Sequence, residues 1–141
     1  HDAVRRYDPH HLILGDRLDG AHLVPDEIIR AAAHYVDVLS FQYFGEPDRI
    51  RSDFQRWSRL GGRPVLLADA IPSRGDPTRY AEMLAMTRDL PDCLGWHVCG
   101  AYLTNRTRRY GFRLENEDPN DALITAATDA NHAALEHFAE R

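Results

Sequence analysis

The stretch GRPVLLADAIPS, residues 62–73, decides how the chain folds. Val65, Leu66 and Leu67 form a continuous apolar run, bounded by Gly62 and Pro64 on one side and by Pro72 and Ser73 on the other. Such a run between turn residues is the pattern of a strand buried on both faces, as in parallel sheets. The strand then runs into a carboxylate, Asp69. Two roles suit an acid there. It caps the loop that follows, IPSRGDP (71–77), or it projects into a site where negative charge does chemistry.

Three more apolar runs share this form: HLILGDR (11–17), VDVLSFQYF (36–44) and CLGWHVCGAY (93–102). The runs begin roughly 25–30 residues apart, the length of a strand–helix repeat. Amphipathic helices are expected between them. PDEIIRAAAHY (25–35) has Pro25 at its start, acids in its first turn, and Ile28, Ile29, Ala32 and Tyr35 predicted on one face. PDRIRSDFQRWSRL (47–60) places Ile50, Phe54 and Trp57 at helical spacing and stops at Gly61-Gly62. DPTRYAEMLAMTRDL (76–90) opens with Asp76 as N-cap and stops at Pro91. A last helix is expected to start at Asp118-Pro119 and to run through Leu123, Ala127, Ala130, Ala134 and Phe138.

The order β-α-β-α-β-α-β-α implies a parallel sheet with right-handed crossovers. Two architectures satisfy it: a small open sheet covered on both faces, or half of an eight-stranded barrel. Residues 1–141 contain no linker or low-complexity segment and read as one unit.

Bulk properties narrow the function. At 141 residues and 43% hydrophobic, the chain can bury one substantial core. No apolar run approaches the ~20 residues of a membrane helix, and no signal-peptide pattern is visible, so no membrane partner is expected. The net charge of −5 argues against a nucleic-acid surface. All 17 basic residues are arginine, which excludes lysine Schiff bases and the P-loop lysine. Cys93 and Cys99 lie on one predicted strand roughly 20 Å apart, too far to bridge within the chain, and are read as packed thiols.

The histidines do not suggest a metal. His10 and His11 would point to opposite faces of a strand, and His132 and His137 are five residues apart rather than four. Neither a metal nor a cofactor is expected.

In either architecture, ligands bind at the carboxyl ends of the strands. The first strand delivers Asp16 and Arg17 there, the second Gln42, Tyr43 and Phe44, the third Asp69, the fourth Trp96 and His97. Amides and guanidinium groups bond sugar hydroxyls, aromatic faces stack on pyranose rings, and a carboxylate is what glycoside chemistry requires.

At this point the chain resembles a known group. RRYDPHHLILGDR (5–17) looks like the end of helix four and strand five of the large retaining (β/α)₈ glycoside hydrolase superfamily, with its cellulase-type and agarase-like branches. VDVLSFQYFG (36–45) looks like its strand six, GRPVLLADA (62–70) like its strand seven, and LGWHVCGAY (94–102) like its strand eight with a sugar-stacking tryptophan. YGFRLENEDPNDALITAATDANHAALE (110–136) is similar to its closing segment. The resemblance covers essentially the whole chain in the right order. It implies a (β/α)₄ half of a TIM barrel, equivalent to strands five to eight; because a half-barrel exposes two strand edges and its inner face, completion by dimerisation is expected.

Carried over residue by residue, the resemblance puts Asp69 at the nucleophile position, where the family has glutamate. It makes Arg17, Gln42, Tyr43, Trp96 and His97 candidate substrate contacts. Gln42 stands where asparagine is expected and Phe44 where tyrosine is, leaving Tyr43 ambiguous. Aspartate is one methylene shorter than glutamate, withdrawing the carboxylate by about 1 Å from in-line attack. The acid/base glutamate belongs to the fourth strand of the family, which has no counterpart here.

Plainer roles remain open for these residues. Trp96 also suits a core or interface aromatic, and Arg17 an ion pair with Asp69 or Asp16. Glu46, Glu115, Glu117 and Asp118 read as solvated acids. The leading expectation is a glycoside-hydrolase-like half-barrel, inactive alone or a carbohydrate-binding remnant, forming a homodimer, with an oligosaccharide or polysaccharide as its ligand. One alternative is a glycosidase whose N-terminal half comes from another chain or was removed. The other is a noncatalytic open-sheet interaction domain.

Overall fold

A computed structural model describes residues 1–70, 76–99, 102–106 and 110–140. A short helix, α1 (Asp2–Tyr7), precedes four strand–helix pairs. These are β1 (Leu18–Asp19), α2 (Asp26–Ala33), β2 (Leu39–Gln42), α3 (Pro47–Gly61), β3 (Val65–Ala70), α4 (Pro77–Arg88), β4 (Cys93–Val98) and α5 (Asp121–Ala139). The strands form one sheet in the order β1-β2-β3-β4, and every neighbouring pair is parallel.

That order chooses between the two architectures. A doubly wound sheet reverses its strand order at a switch point so that helices can cover both faces. Here no reversal occurs, and right-handed crossovers then carry every helix to the same side. Consecutively numbered helices touch, α2 on α3, α3 on α4 and α4 on α5, as in one layer. The arrangement is that of a half α/β barrel, with the opposite face of the sheet bare of helices among the described residues.

The main core lies between sheet and helices. Leu39, Phe41, Val65 and Leu67 meet Ile50, Phe54 and Trp57, all at most 2% exposed. The Phe41 and Trp57 rings stack at 4.3 Å. Asp76 caps α4 as expected, accepting from the Thr78 N–H at 2.9 Å, with Pro77 in the first turn. A second cluster joins Tyr80 and Leu84 of α4 to Leu123 and Ala127 of α5.

Three local expectations are corrected. In α2 the inward stripe is Ile29 and Ala33, leading on to Val36, while Ile28 and Tyr35 are 48% and 59% exposed. The four-then-three spacing of 29, 33 and 36 keeps one face toward the core, and Ile28 is one position out of phase. Helix α5 begins at Asp121, capped by Asn120, whose side chain accepts from the Leu123 N–H. Asp118 is occupied in the preceding turn, where its carbonyl accepts from Leu114 and its N–H donates to Asn116.

The first strand is also displaced, to Leu18–Asp19 rather than 11–17. Leu12 and Leu14 stay 67% and 42% exposed, because no described element packs over both faces of this segment. This segment is instead pinned at Ile13, whose N–H donates to Asp37 Oδ2 at 2.7 Å and whose carbonyl accepts from the Asp37 N–H at 2.8 Å.

Candidate functional site

The position of Asp69 depends on an irregularity in β3. Side chains alternate along a strand, so residues paired across a parallel ladder share a face. Leu67 pairs with Phe41, and both lie in the helix-side core. On simple alternation Asp69 would join them. However, Gln42, immediately after Phe41, pairs with Asp69 rather than Ala68. On the other side Leu67 pairs with Trp96 and Ala70 with Val98, so Ala68 and Asp69 together oppose His97. One extra residue on β3 against both neighbours is a β-bulge, a device that re-aims a side chain. It turns Asp69 onto the bare face and returns Ala70 to the core.

Asp69 is nevertheless 4% exposed. Its Oδ2 lies 2.7 Å from Nη1 of Arg17, whose half-exposed side chain reaches across β2. Its Oδ1 has no hydrogen-bond partner among the described residues. Ser40, two residues before Gln42 on the same face, is also 4% exposed, and its Oγ likewise has none. Two buried oxygens without donors or acceptors therefore sit on the bare side of the sheet. Such groups are costly unless a ligand or water satisfies them. The alternative role for Asp69, accepting N–H bonds from Ile71 to Gly75, falls on residues outside those described.

The predicted residues divide by face. Arg17, Gln42, Asp69 and His97 come together on the bare side, near the carboxyl ends of the strands. Tyr43 and Trp96 do not. Tyr43 is 1% exposed, packs near Phe54 and Trp57, and donates its hydroxyl to Asp53 at 2.5 Å. Burial first, and the Asp53 carboxylate second, push its phenol up to about 12. It is a core residue, because the alternation that points Gln42 outward points its neighbour inward. Trp96 packs against both hydrophobic clusters and takes the core role. A second bulge sets its register: Cys93 to Trp96 is one residue longer than Val65 to Leu67, accommodated at Gly95 with φ 140°.

Sequence reasoning missed Asp19. It pairs in register with Gln42, so Asp19, Gln42 and Asp69 form one row across three strands. Its neighbours fix its face. Leu18 packs on the core, and Gly20 lies so close to the Tyr43 ring that a Cβ there would fall 2.6 Å from Cδ1. The alternation Arg17-Leu18-Asp19-Gly20 was the available signal, hidden by ending the first strand at 17. Asp19 Oδ1 accepts from the Ala21 N–H at 3.0 Å and Oδ2 lies 2.9 Å from His22 Nδ1. The His22 bond holds its carboxyl below the usual carboxylate range.

Among the described residues, no three His, Cys, Asp or Glu side chains gather as metal ligands, and no helix is long and apolar enough to cross a membrane.

No protein-family model and no curated protein matches the chain. Solved structures do. PfGH50B matches with a TM-score of 0.76 at 22% identity, over 96% of this chain and 23% of its own. An exo-β-agarase matches with a TM-score of 0.74 at 23% identity, over 96% and 22%. A further agarase matches with a TM-score of 0.77 at 20% identity, over 96% and 24%. The chain resembles part of a glycoside hydrolase. At these identities the likeness is one of fold, and the chain spans about a quarter of the length of these structures. Within that glycoside-hydrolase-like half-barrel, the bare face carrying Asp69 corresponds to the side that a complete barrel turns inward.

Proposed function

We propose that the chain is a carbohydrate-recognising half-barrel whose ligand lies on the bare face over Gln42 and Asp69, and that it does not catalyse by itself. The observation that carries this reading is the state of Asp69. It is a buried carboxylate turned out of the core by a bulge, with one oxygen paired to Arg17 and the other without a donor among the described residues. A sugar hydroxyl supplies such a donor, and Gln42 beside it offers both a donor and an acceptor. Agarases with this fold make oligosaccharides from agar the first ligands to try.

Hydrolysis with retention needs a second carboxyl ~5–5.5 Å from the first, which the paired strand positions around Asp69 do not provide. Gln42 occupies one side and His97 the other. Calorimetric titration of the chain with agar oligosaccharides tests the reading. Saturable binding that disappears in Asp69→Ala supports it. A flat titration across neutral oligosaccharides of several linkages would remove it in favour of a noncatalytic interaction domain.

A second reading is favoured by coverage alone. The matched structures are about four times longer, so four further strands from another chain or segment would close the barrel and bring a second carboxylate. Turnover appearing only when such a segment is supplied would establish that reading.

A further inference from the structure

The site described above contains one feature that sugar recognition at Asp69 does not itself require: the carboxylate of Asp19, in register with Gln42 and Asp69 on the same face. We infer that Asp19 is the specificity-determining residue of this site, selecting uncharged sugar rings and excluding anionic ones such as sulfate esters and uronates. The inference rests on the carbohydrate-binding reading.

The geometry begins with the row. Asp19 and Asp69 flank Gln42 at two strand spacings, ~10 Å, a gap that a single ring with its hydroxyls spans. Below the row lies Ser40, nine-tenths buried, with no partner for its hydroxyl among the described residues, and beside it the unpartnered Oδ1 of Asp69. Both point to a ligand that brings hydrogen-bonding groups to this face.

Charge then separates the two acids. Arg17 is committed to Asp69 at 2.7 Å, so that pair is internally neutralised. Among the described residues, no arginine pairs with Asp19. Its partners are the Ala21 N–H and the His22 ring, which fix its orientation while leaving its side chain 48% exposed. A neutral ring presents hydroxyl donors to it. An anionic substituent beside it meets a like charge that no described arginine pairs with, and must also leave water to enter the site.

The test uses the 141-residue chain and two probes, a neutral agar oligosaccharide and the same oligosaccharide carrying sulfate esters. The readout is the ratio of their affinities, which is insensitive to a general weakening of the site. The wild-type ratio should favour the neutral probe by at least about tenfold at low salt, and should shrink at high salt as the charges are screened. Asp19→Asn should lower the ratio about tenfold. Asp19→Ser, which also offers an oxygen to the Ala21 N–H, guards against an effect peculiar to asparagine, and thermal melts confirm folding of both.

Neutral binding by the wild type with a ratio unchanged in both variants would overturn the role of Asp19 alone. No binding of either probe would overturn the sugar reading and this inference with it.

Discussion

Arg17 and Asp69 meet at 2.7 Å across an intervening strand, pairing a half-exposed guanidinium with a carboxylate almost wholly withdrawn from solvent. The arginine is the protein-side compensation for an acid that ends a buried strand. Removing it should therefore cost more than an ordinary surface pair, because a buried charge is left behind. Arg17→Ala is expected to destabilise the fold by about 1–3 kcal/mol, and Arg17→Ala with Asp69→Asn by less. Urea denaturation of the single and double variants measures this. A double variant as unstable as Arg17→Ala would show that the pair is not what the arginine serves.

The bulge at Ala68–Asp69 makes a sharper prediction. Deleting Ala68 removes the extra residue, so Asp69 follows Leu67 directly and by simple alternation still emerges on the side away from the core, opposite Gln42. The deletion variant should therefore remain folded, whereas exchanging the two residues (Asp69→Ala with Ala70→Asp) puts a carboxylate at a core position and should abolish cooperative unfolding. Circular dichroism and urea titration separate the two. An exchanged variant as stable as the parent would mean that position 70 does not face the core.

Tyr43 sets a limit at high pH. Its phenol is raised from 10.0 to about 12 in the folded chain. Between those values the unfolded chain releases a proton that the folded chain keeps, so the stability contributed is complete below pH 10 and lost as pH rises toward 12. Tyr43→Phe should flatten this loss between pH 10 and 12, at the expense of about 1.5–3 kcal/mol at neutral pH from the missing bond to Asp53. Melting temperatures over that range decide it. A decline just as steep in the variant would transfer the effect to other groups.

Glycosidase activity should be negligible for the chain by itself, and Asp69→Glu should not create it. The longer side chain repairs reach, but not proton donation to the leaving group, a step worth typically ~10²–10⁴-fold. Release of nitrophenol from activated aryl glycosides by either form would reveal a second working carboxyl.

The bare face and the outer edges of β1 and β4 offer a pairing template, since parallel strands are ordinarily covered on both sides. We expect self-association, with two copies closing one eight-stranded ring in an isologous dimer. Light scattering at micromolar concentration should report at least a dimer. A stable monomer would remove the proposal.

Much of this architecture was legible from local chemistry. The apolar runs, the stripe of Ile50, Phe54 and Trp57 and the Asp76-Pro77 start each depend on neighbours within a few turns of chain, which is why they could be read. Placement of β1 could not. Leu12 and Leu14 are apolar enough for a strand, but whether they are buried depends on which elements pack over them, a tertiary property that local composition does not set.

The sequence by itself determined the repeating strand–helix order and the residue types delivered to the strand ends. Only the tertiary structure decided which of them share a face. A single extra residue in β3 reverses the side on which Asp69 emerges, and another in β4 sends Trp96 inward while His97 faces out. Because the side-chain period of a strand is two, one bulge exchanges core for site, and a bulge depends on pairing with neighbouring strands rather than on the composition of its own. The same register, spanning residues 19, 42 and 69, set Asp19 beside Gln42; alternation along β1 could give its face but not that partner.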